Sequence, residues 1–374
     1  MSWNTTCVGD VCKYTTSGGT PRTSVASYYE PPTVPWLKTK EVNYCRIYQT
    51  ESYISQEGLD NSSAKLIPEN SVIVAMYGQG DTAGRVAINK IPVSTNQACC
   101  NLIIDPEKAD YEFVYYALST LYEKLVSLKN GGAQPNLNAQ IIRSVEIPFP
   151  PLETQHKIAA FLSAYDDLIE NNQKQIKLLE EAAQRLYKEW FVDLHFPGHE
   201  TTPIVDGVPE GWKEQSLYQI ADVVMGQSPK SEYYNQVGEG LPFHQGVGSY
   251  GNRFVSDETY STSFTRIAEA GSILFSVRAP VGRLNLTKNK VVIGRGLAAI
   301  NHRRGAQSYL FYLLKEKFFR DDIIGNGSIF ASISKEELLN QTFLIPIDSL
   351  VGQFNGIAAA LIKRLTYYQS RFDF

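Results

Sequence analysis

The chain of 374 residues predicts an α+β fold: two tandem-duplicated domains of mixed β structure with helices, separated by two long helices that form an antiparallel coiled coil. Three observations predict it. Short motifs recur about 198 residues apart: Ser71-Val72-Ile73-Val74 as Ser272-Ile273-Leu274-Phe275, Gly84-Arg85 as Gly282-Arg283, Tyr116 as Tyr312, Ile147-Pro148 as Ile345-Pro346, Gln155 as Gln353. A period this long marks a duplicated domain, because solenoid repeats run roughly 20–50 residues. Each copy reads first as short β-branched runs and then as helix. Each ends in an apolar stripe at helical spacing.

In the first copy, Ser71 to Tyr77, Gly84 to Ile91 and Ala98 to Ile104 are apolar runs broken by Gly, Asn and Pro, as strands are. The second copy supplies Ser272 to Val277, Arg283 to Leu286, Lys290 to Ile293 and Leu297 to Ile300. Helices are expected at Tyr111 to Lys129 and Gln307 to Asp322, each stopped by a glycine turn, Gly131-Gly132 and Gly325-Asn326-Gly327.

After Pro150-Pro151, with Thr154 as the expected N-cap, no Gly or Pro occurs until Pro197. Within that stretch Ile158, Leu162, Tyr165, Ile169, Asn172, Ile176, Leu179, Ala183, Leu186 and Trp190 alternate at spacings of four and three, which is a coiled-coil seam with Asn172 as its one polar register-setter. About 37 helical residues at 1.5 Å each give a rod of roughly 55 Å. The C-terminal partner stripe is Leu350, Phe354, Ile357, Leu361, Leu365, Tyr368 and Phe372. The intervening domain must return the chain, so the two helices should pack antiparallel. The boundaries expected are residues 1–150 for the first domain, 151–196 for the first helix, 197–348 for linker and second domain, and 349–374 for the second helix, which is some 15 residues shorter than the first.

Composition narrows the function. Apolar content of 43% and 22 tyrosines indicate globular structure. No apolar run reaches 18 residues and no signal-like N-terminus is present, so the expectation is a cytoplasmic protein without a membrane segment. Five cysteines, with no C-x-x-C pair, argue against a disulfide framework or zinc ribbon; Cys99 and Cys100 lie in an apolar run and read as core. The net charge of −4 opposes a free-standing nucleic-acid binder, yet Ala270 to Leu314 contains no acid and carries Arg278, Arg283, Lys288, Lys290, Arg295, Arg303 and Arg304. Thr82 to Ile104 is likewise acid-free, with Arg85 and Lys90. Acid gathers instead between Glu153 and Glu200, with nine carboxylates against five Lys and Arg.

Motifs for catalysis are missing: there is no Walker loop, no H-E-x-x-H, no G-x-S-x-G and no Asn-Pro-Pro-Tyr type amino-methyltransferase motif. Gly246-x-Gly248-x-x-Gly251 matches a dinucleotide fingerprint by letter, but Asn252-Arg253-Phe254-Val255 after it is no helix start, so a β-domain loop is expected. His195 and His199 are separated by Pro197, which forbids the helix that would align them on a metal. No metal or cofactor is therefore expected in this chain. What does recur is polar turn sequence: Ser17-Gly18-Gly19-Thr20-Pro21 parallels Met225-Gly226-Gln227-Ser228-Pro229, and the segment from Gly131 to Asn138 parallels Gly327 to Ser334.

Taken together, the Ile147 to Gln155 stretch leading into the first helix, Pro209-Glu210-Gly211-Trp212, Leu241 to Gly246, and Gly271-Ser272-Ile273-Leu274 leading to Val281-Gly282-Arg283 resemble the specificity subunits of type I restriction-modification systems over essentially the whole chain. The resemblance implies two target-recognition domains, each reading one half of a split target in double-stranded DNA, with the helices setting the gap. It further implies docking of two methyltransferase subunits, addition of restriction/translocase subunits, and S-adenosylmethionine, ATP and magnesium held by those partners.

Base-reading residues vary within such a family, so candidates come from chemistry. Amide and arginine side chains on loops read base edges, and Lys or Ser hold phosphates. The candidates are Gln79, Arg85, Gln134, Asn136 and Asn138 in the first domain, and Gln227, Lys230, Gln245, Arg278, Arg283, Arg295 and Ser332 in the second. For methyltransferase contact, the outer helix face offers Gln173, Lys177, Glu180, Gln184 and Lys188. The rival reading is a non-catalytic coiled-coil scaffold whose two β-rich domains bind protein or glycan.

Overall fold

A computed structural model describes residues 3–129, 136–318 and 332–369. The chain forms two compact units, one ending at Ile169 and the other beginning at Glu170.

The first unit is built on a five-stranded sheet made of β1 (Cys12–Ser17), β2 (Cys45–Ile47), β3 (Val72–Ala75), β4 (Val86–Asn89) and β5 (Cys99–Ile104), in the order β1-β5-β3-β4-β2. All residues of β3, β4 and β5 are buried, which is why they read as unbroken apolar runs and not as alternation. Val72 and Val74 face a core shared with Val114 and Leu118 of α1 (Tyr111–Ser119), while Ile73 and Ala75 face Leu37, Ile67 and Val93 of a smaller four-stranded sheet. Asp110 caps α1 by accepting from the Phe113 amide at 2.9 Å. The single helix expected to Lys129 breaks at Thr120, and a separate turn of helix follows over Tyr122–Ser127.

The helix α2 runs without interruption from Leu152 to Phe191 and crosses the boundary between the units. It starts earlier than the expected Thr154 cap, because the amides of Thr154 and Gln155 already donate to the Pro151 carbonyl.

The second unit repeats the plan with β6 (Ala221–Met225), β7 (Ile273–Ser276), β8 (Leu284–Leu286) and β9 (Leu297–His302), in the order β6-β9-β7-β8, followed by α3 (Gln307–Phe318) and α4 (Asp348–Gln369). The pairing scheme is repeated as well. Trp36 pairs in parallel with Ser94, and Phe243 in parallel with Val292; a two-stranded ribbon joins Thr5–Cys7 to Glu146–Pro148, and another joins Lys213–Ser216 to Thr342–Ile345.

The end of α2 meets the start of α4 through aromatic rings, with Tyr187, Trp190 and Phe191 all packed on Phe354. Of the residues expected in the seam, Asn172, Ile176, Ala183, Trp190 and Phe354 are buried, Ile158, Leu162, Leu179, Leu186 and Leu361 are half-buried, and Tyr165, Ile169 and Ile357 are exposed. In the second unit Tyr187 and Ala358 take core positions that a strict four-three count misses; on α4 the buried stripe is Leu350, Val351, Phe354, Ala358 and Leu365, closer to the 3.6-residue period of a helix packed on a globular core. Phe372 lies outside the described residues.

Gln155 and Gln353 also part company. Gln155 is buried, donating to the Pro150 carbonyl at 2.9 Å and accepting from the Asp110 amide at 3.1 Å before α1. Gln353 is exposed, and Asn355 serves the second copy by accepting from the amides of Ser308 and Tyr309 at the start of α3.

Candidate nucleic-acid interface

The two glycine-bearing turns noted in the sequence occupy the same place in each domain. The amides of Gly18 and Gly19 donate to the carbonyls of Cys99 and Thr95, and the amides of Gly226 and Gln227 to those of Leu297 and Ile293, an offset of 198 on the accepting strand. A Cβ on Gly18 or on Gly226 would lie 2.1 Å from a backbone oxygen, so both turns need glycine to lie flat on the sheet end.

This packing brings several of the candidates together in the second domain. Ser228 donates to the Gln245 side-chain oxygen at 2.7 Å and accepts from the Arg295 amide at 3.2 Å, so Gln227, Gln245 and Arg295 share one exposed patch. Val277 links to Gly296 on one side and Ile333 on the other, which sets Arg278 and Ser332, joined by a backbone bridge, at the margin of that patch. Lys230, three residues beyond Gln227, is exposed beside Glu232 at 3.9 Å. Arg278 and Arg295 are exposed and form no ion pair among the described residues.

The same patch exists in the first domain, but different residues line it. By register Thr20 stands for Ser228, Gln97 for Arg295 and Lys38 for Gln245; Thr20 donates to the Gln97 side-chain oxygen. Sequence reasoning missed Thr20, Lys38 and Gln97. The signal was available, since subtracting 198 from Arg295 gives Gln97. Asn136 is exposed, and the matching links Leu137 to Met76 and Ile333 to Val277 place it where Ser332 stands. Asn138 is engaged in the fold itself, because its side-chain oxygen accepts from the Ile141 amide and caps a helix, as Ser334 does for Glu337. Gln134 lies outside the described residues.

Gln79, Arg85 and Arg283 belong to a second location, the turn joining the middle strands. Gln79 is exposed and its carbonyl accepts from Thr82. Arg85 is held by Asp81 at 2.7 Å and Asn43 at 2.8 Å, so its guanidinium is already engaged. Arg283 is half-buried on the wall of a cavity that includes Arg253. The acid-free run is also less basic in three dimensions than in sequence: Lys290 pairs with Glu269, Arg303 with Asp222 and Arg304 with Asp348. The Gly246 to Gly251 segment is a loop with a single 3-10 turn, as expected.

On α2, Gln173, Lys177 and Lys188 are exposed, the last paired with Asp193. Glu180 and Gln184 were expected on the outer face, and here the structure corrects the reading: both are half-buried, Glu180 facing Arg253 within the second unit. Burial pushes the Glu180 carboxyl above its ordinary range, against the pull of Arg253 and Lys315.

His244 is buried, bonded to Ser249 at 2.9 Å and Asp257 at 3.1 Å, and burial lowers its basicity despite that carboxylate. Among the described residues no group of His, Cys, Asp and Glu is arranged to hold a metal ion, and no helix is long and apolar enough to cross a membrane. Two β-rich domains with matching polar patches, joined by one long helix, define a two-domain recognition protein.

Comparison with known proteins assigns the class. The profile of the type I restriction modification DNA specificity domain matches residues 1–181 and 209–352. Two type I restriction enzyme specificity subunits of Methanocaldococcus jannaschii are similar: MjaX, at 33% identity over 274 residues, 71% of this chain and 63% of that protein, and MjaIX, at 26% identity over 374 aligned positions, 95% and 85%. The chain thus spans somewhat less than two thirds of the length of MjaX. The crystal structure of a type I restriction-modification S subunit from M. genitalium superposes with a TM-score of 0.67 over 100% of this chain and 92% of that one, at 17% identity, which shows a shared fold. The chain belongs to the type I restriction-modification DNA specificity family.

Proposed function

We propose that each domain reads one half of a bipartite duplex-DNA target through the patch around Thr20, Lys38 and Gln97 in the first domain and Gln227, Gln245 and Arg295 in the second, and that the helices set the gap. The observation carrying this reading is that one polar cluster is built at the same sheet end of both domains by the same backbone bonds, while its side chains differ. Identical frames with different amides and cations suit two half-sites of different sequence: Arg295 fits guanine, and Gln97 or Gln245 fits adenine. The mixed charge of the chain suits a protein that shares phosphate neutralisation with partners.

In this proposal α2 carries two methyltransferase subunits, with Gln173, Lys177 and Lys188 offering exposed polar contacts, and restriction/translocase subunits join the assembly. S-adenosylmethionine, ATP and magnesium belong to those partners. The 40 residues of α2 correspond to about 60 Å, or roughly 18 base pairs of B-DNA.

The test is a heptad inserted after Asn172. Seven residues add about 10 Å and close to two whole turns, so the recognised gap should lengthen by roughly 3 base pairs with both half-sites unchanged. Methylation mapping in a methylation-free host, with a co-purifying methyltransferase subunit, reads this directly. An unaltered gap would remove the ruler from the proposal, and the absence of any bipartite motif would remove DNA reading.

A further inference from the structure

Each domain has a buried arginine directed at α2, at neighbouring and not equivalent positions of the repeat, since Arg46 lies opposite Ile88 where Phe254 lies opposite Leu286, and the two are not equally satisfied. Arg46, 5% exposed, is bonded through its terminal nitrogens to Asp167 and to the Ser163 carbonyl, with Glu112 at 3.6 Å. Arg253, 3% exposed, has Glu180 at 3.9 Å, too far for a hydrogen bond, and its Nε and Nη2 make none. Its guanidinium lies 4.7 Å from the centre of the Phe311 ring. A buried cation short of acceptors is among the costliest arrangements a fold retains.

Arg253 lines a cavity of about 500 Å³, within the range of cavities that enclose small molecules. The hydroxyl of Tyr250, also on the wall, is buried without a hydrogen bond. Asn285 donates its amide to the Gly251 carbonyl at 2.8 Å and keeps its side-chain oxygen buried and unbonded. Apolar wall is supplied by Pro280, Leu284 and the aromatic rings.

We propose that this cavity binds a nucleoside monophosphate unit. Arg253 and the Tyr250 hydroxyl donate to the phosphate oxygens, supplying the anion that Asp167 and Glu112 supply to Arg46 in the first domain. The volume left over is far larger than a bare phosphate needs and is walled for a flat ring. The Asn285 oxygen accepts from a base amino group or a sugar hydroxyl. The unit has two sources, a free nucleotide or one nucleotide of the DNA strand, and the chemistry of recognition is common to both.

The experiment is equilibrium dialysis of the full chain against the four deoxynucleoside 5′-monophosphates, the matching nucleosides and inorganic phosphate. One nucleotide should bind per chain, at least tenfold tighter than its nucleoside and than phosphate. Arg253→Met should weaken binding at least tenfold. Leu284→Trp fills the cavity while leaving Arg253 in place, and should abolish binding even where Arg253→Met lowers the yield of folded protein. No saturable binding by any nucleotide, phosphate binding as tightly as the nucleotides, or binding unchanged in Leu284→Trp would each overturn the site. Adding target duplex assigns the source: displacement of the nucleotide marks a strand nucleotide, simultaneous binding marks a free ligand, and either result stands on an occupied site.

Discussion

Phe354 is the residue on which the second unit's helices converge, so its removal should be felt across all of them. It is fully buried, and the rings of Tyr187, Trp190, Phe191, Tyr309 and Tyr312 lie 5.2 to 6.2 Å from its own. Those rings come from α2 and α3, and Phe354 brings in α4. Phe354→Ala removes a large apolar side chain from a site that rigid aromatic neighbours cannot collapse around, which costs about 3–5 kcal/mol. For a unit the size of Glu170–Phe374, roughly 2–4 °C is lost per kcal/mol, so the midpoint of its thermal transition should fall by about 6–20 °C. Phe354→Leu, which keeps most of the volume, should cost only about 1 kcal/mol. Calorimetry of the two variants measures the difference. Hydrogen exchange locates it: protection should be lost in the last turns of α2 and in α4, and kept in α1 and the first sheet. A drop smaller than about 3 °C for the alanine variant, roughly 1 kcal/mol, would mean that the aromatic cluster does not hold these helices together.

Further expectations concern separate parts of the chain. Arg46→Met strands Asp167 and Glu112; because Asp167 is largely exposed, the loss in urea unfolding should be roughly 1–3 kcal/mol and not the 3–5 of a fully buried pair. Arg295→Ala should lower preference at one position of the second half-site by about 1–3 kcal/mol and leave the first half-site intact, as read by selection from a randomised duplex; uniform weakening would assign Arg295 to phosphate instead. Gln97→Ala should do the converse in the first half-site. Burial pushes the Cys100 thiol up to about 12 and Cys99 higher still, so both stay protonated and unreactive at pH 8 while the fold persists; alkylation followed by mass mapping should label them only after denaturant is added, and labelling in the native chain would contradict their burial.

Much of this architecture was legible because the duplication is arithmetic. Strands β3, β5, β7 and β9 fall inside or begin within runs read from apolar, β-branched composition, and Pro150-Pro151 announced α2 almost to the residue. The seam was legible only in part. A four-three count describes two helices packed on each other, whereas α4 also packs on α3 and so buries Ala358 in place of Ile357. Glu180 could not be assigned from its own helix, because the arginine it faces lies 73 positions away. Arg85 shows the converse: its basic, acid-free neighbourhood looked available, yet Asp81, just outside that stretch, neutralises it. The interface patch was half legible. Residue type singled out Gln227, Gln245 and Arg295, which the structure brings onto one patch, and the 198-residue offset leads from Arg295 to Gln97, whereas Thr20 and Lys38 emerge only when strand register superposes one copy on the other.

Each domain begins and ends in the same place. Thr6 lies opposite Ile147 and Gln215 opposite Phe343, so the chain enters and leaves through one narrow ribbon immediately before its long helix. Whatever happens between those strands, a loop lengthened or a side chain exchanged at the patch, the point of departure toward the helix is fixed by three or four backbone pairs. On the proposed reading, such a doorway keeps the helix apart from the contents of the room it leaves, so a new half-site preference can arise within a domain while the strands that lead into the next helix stay as they are.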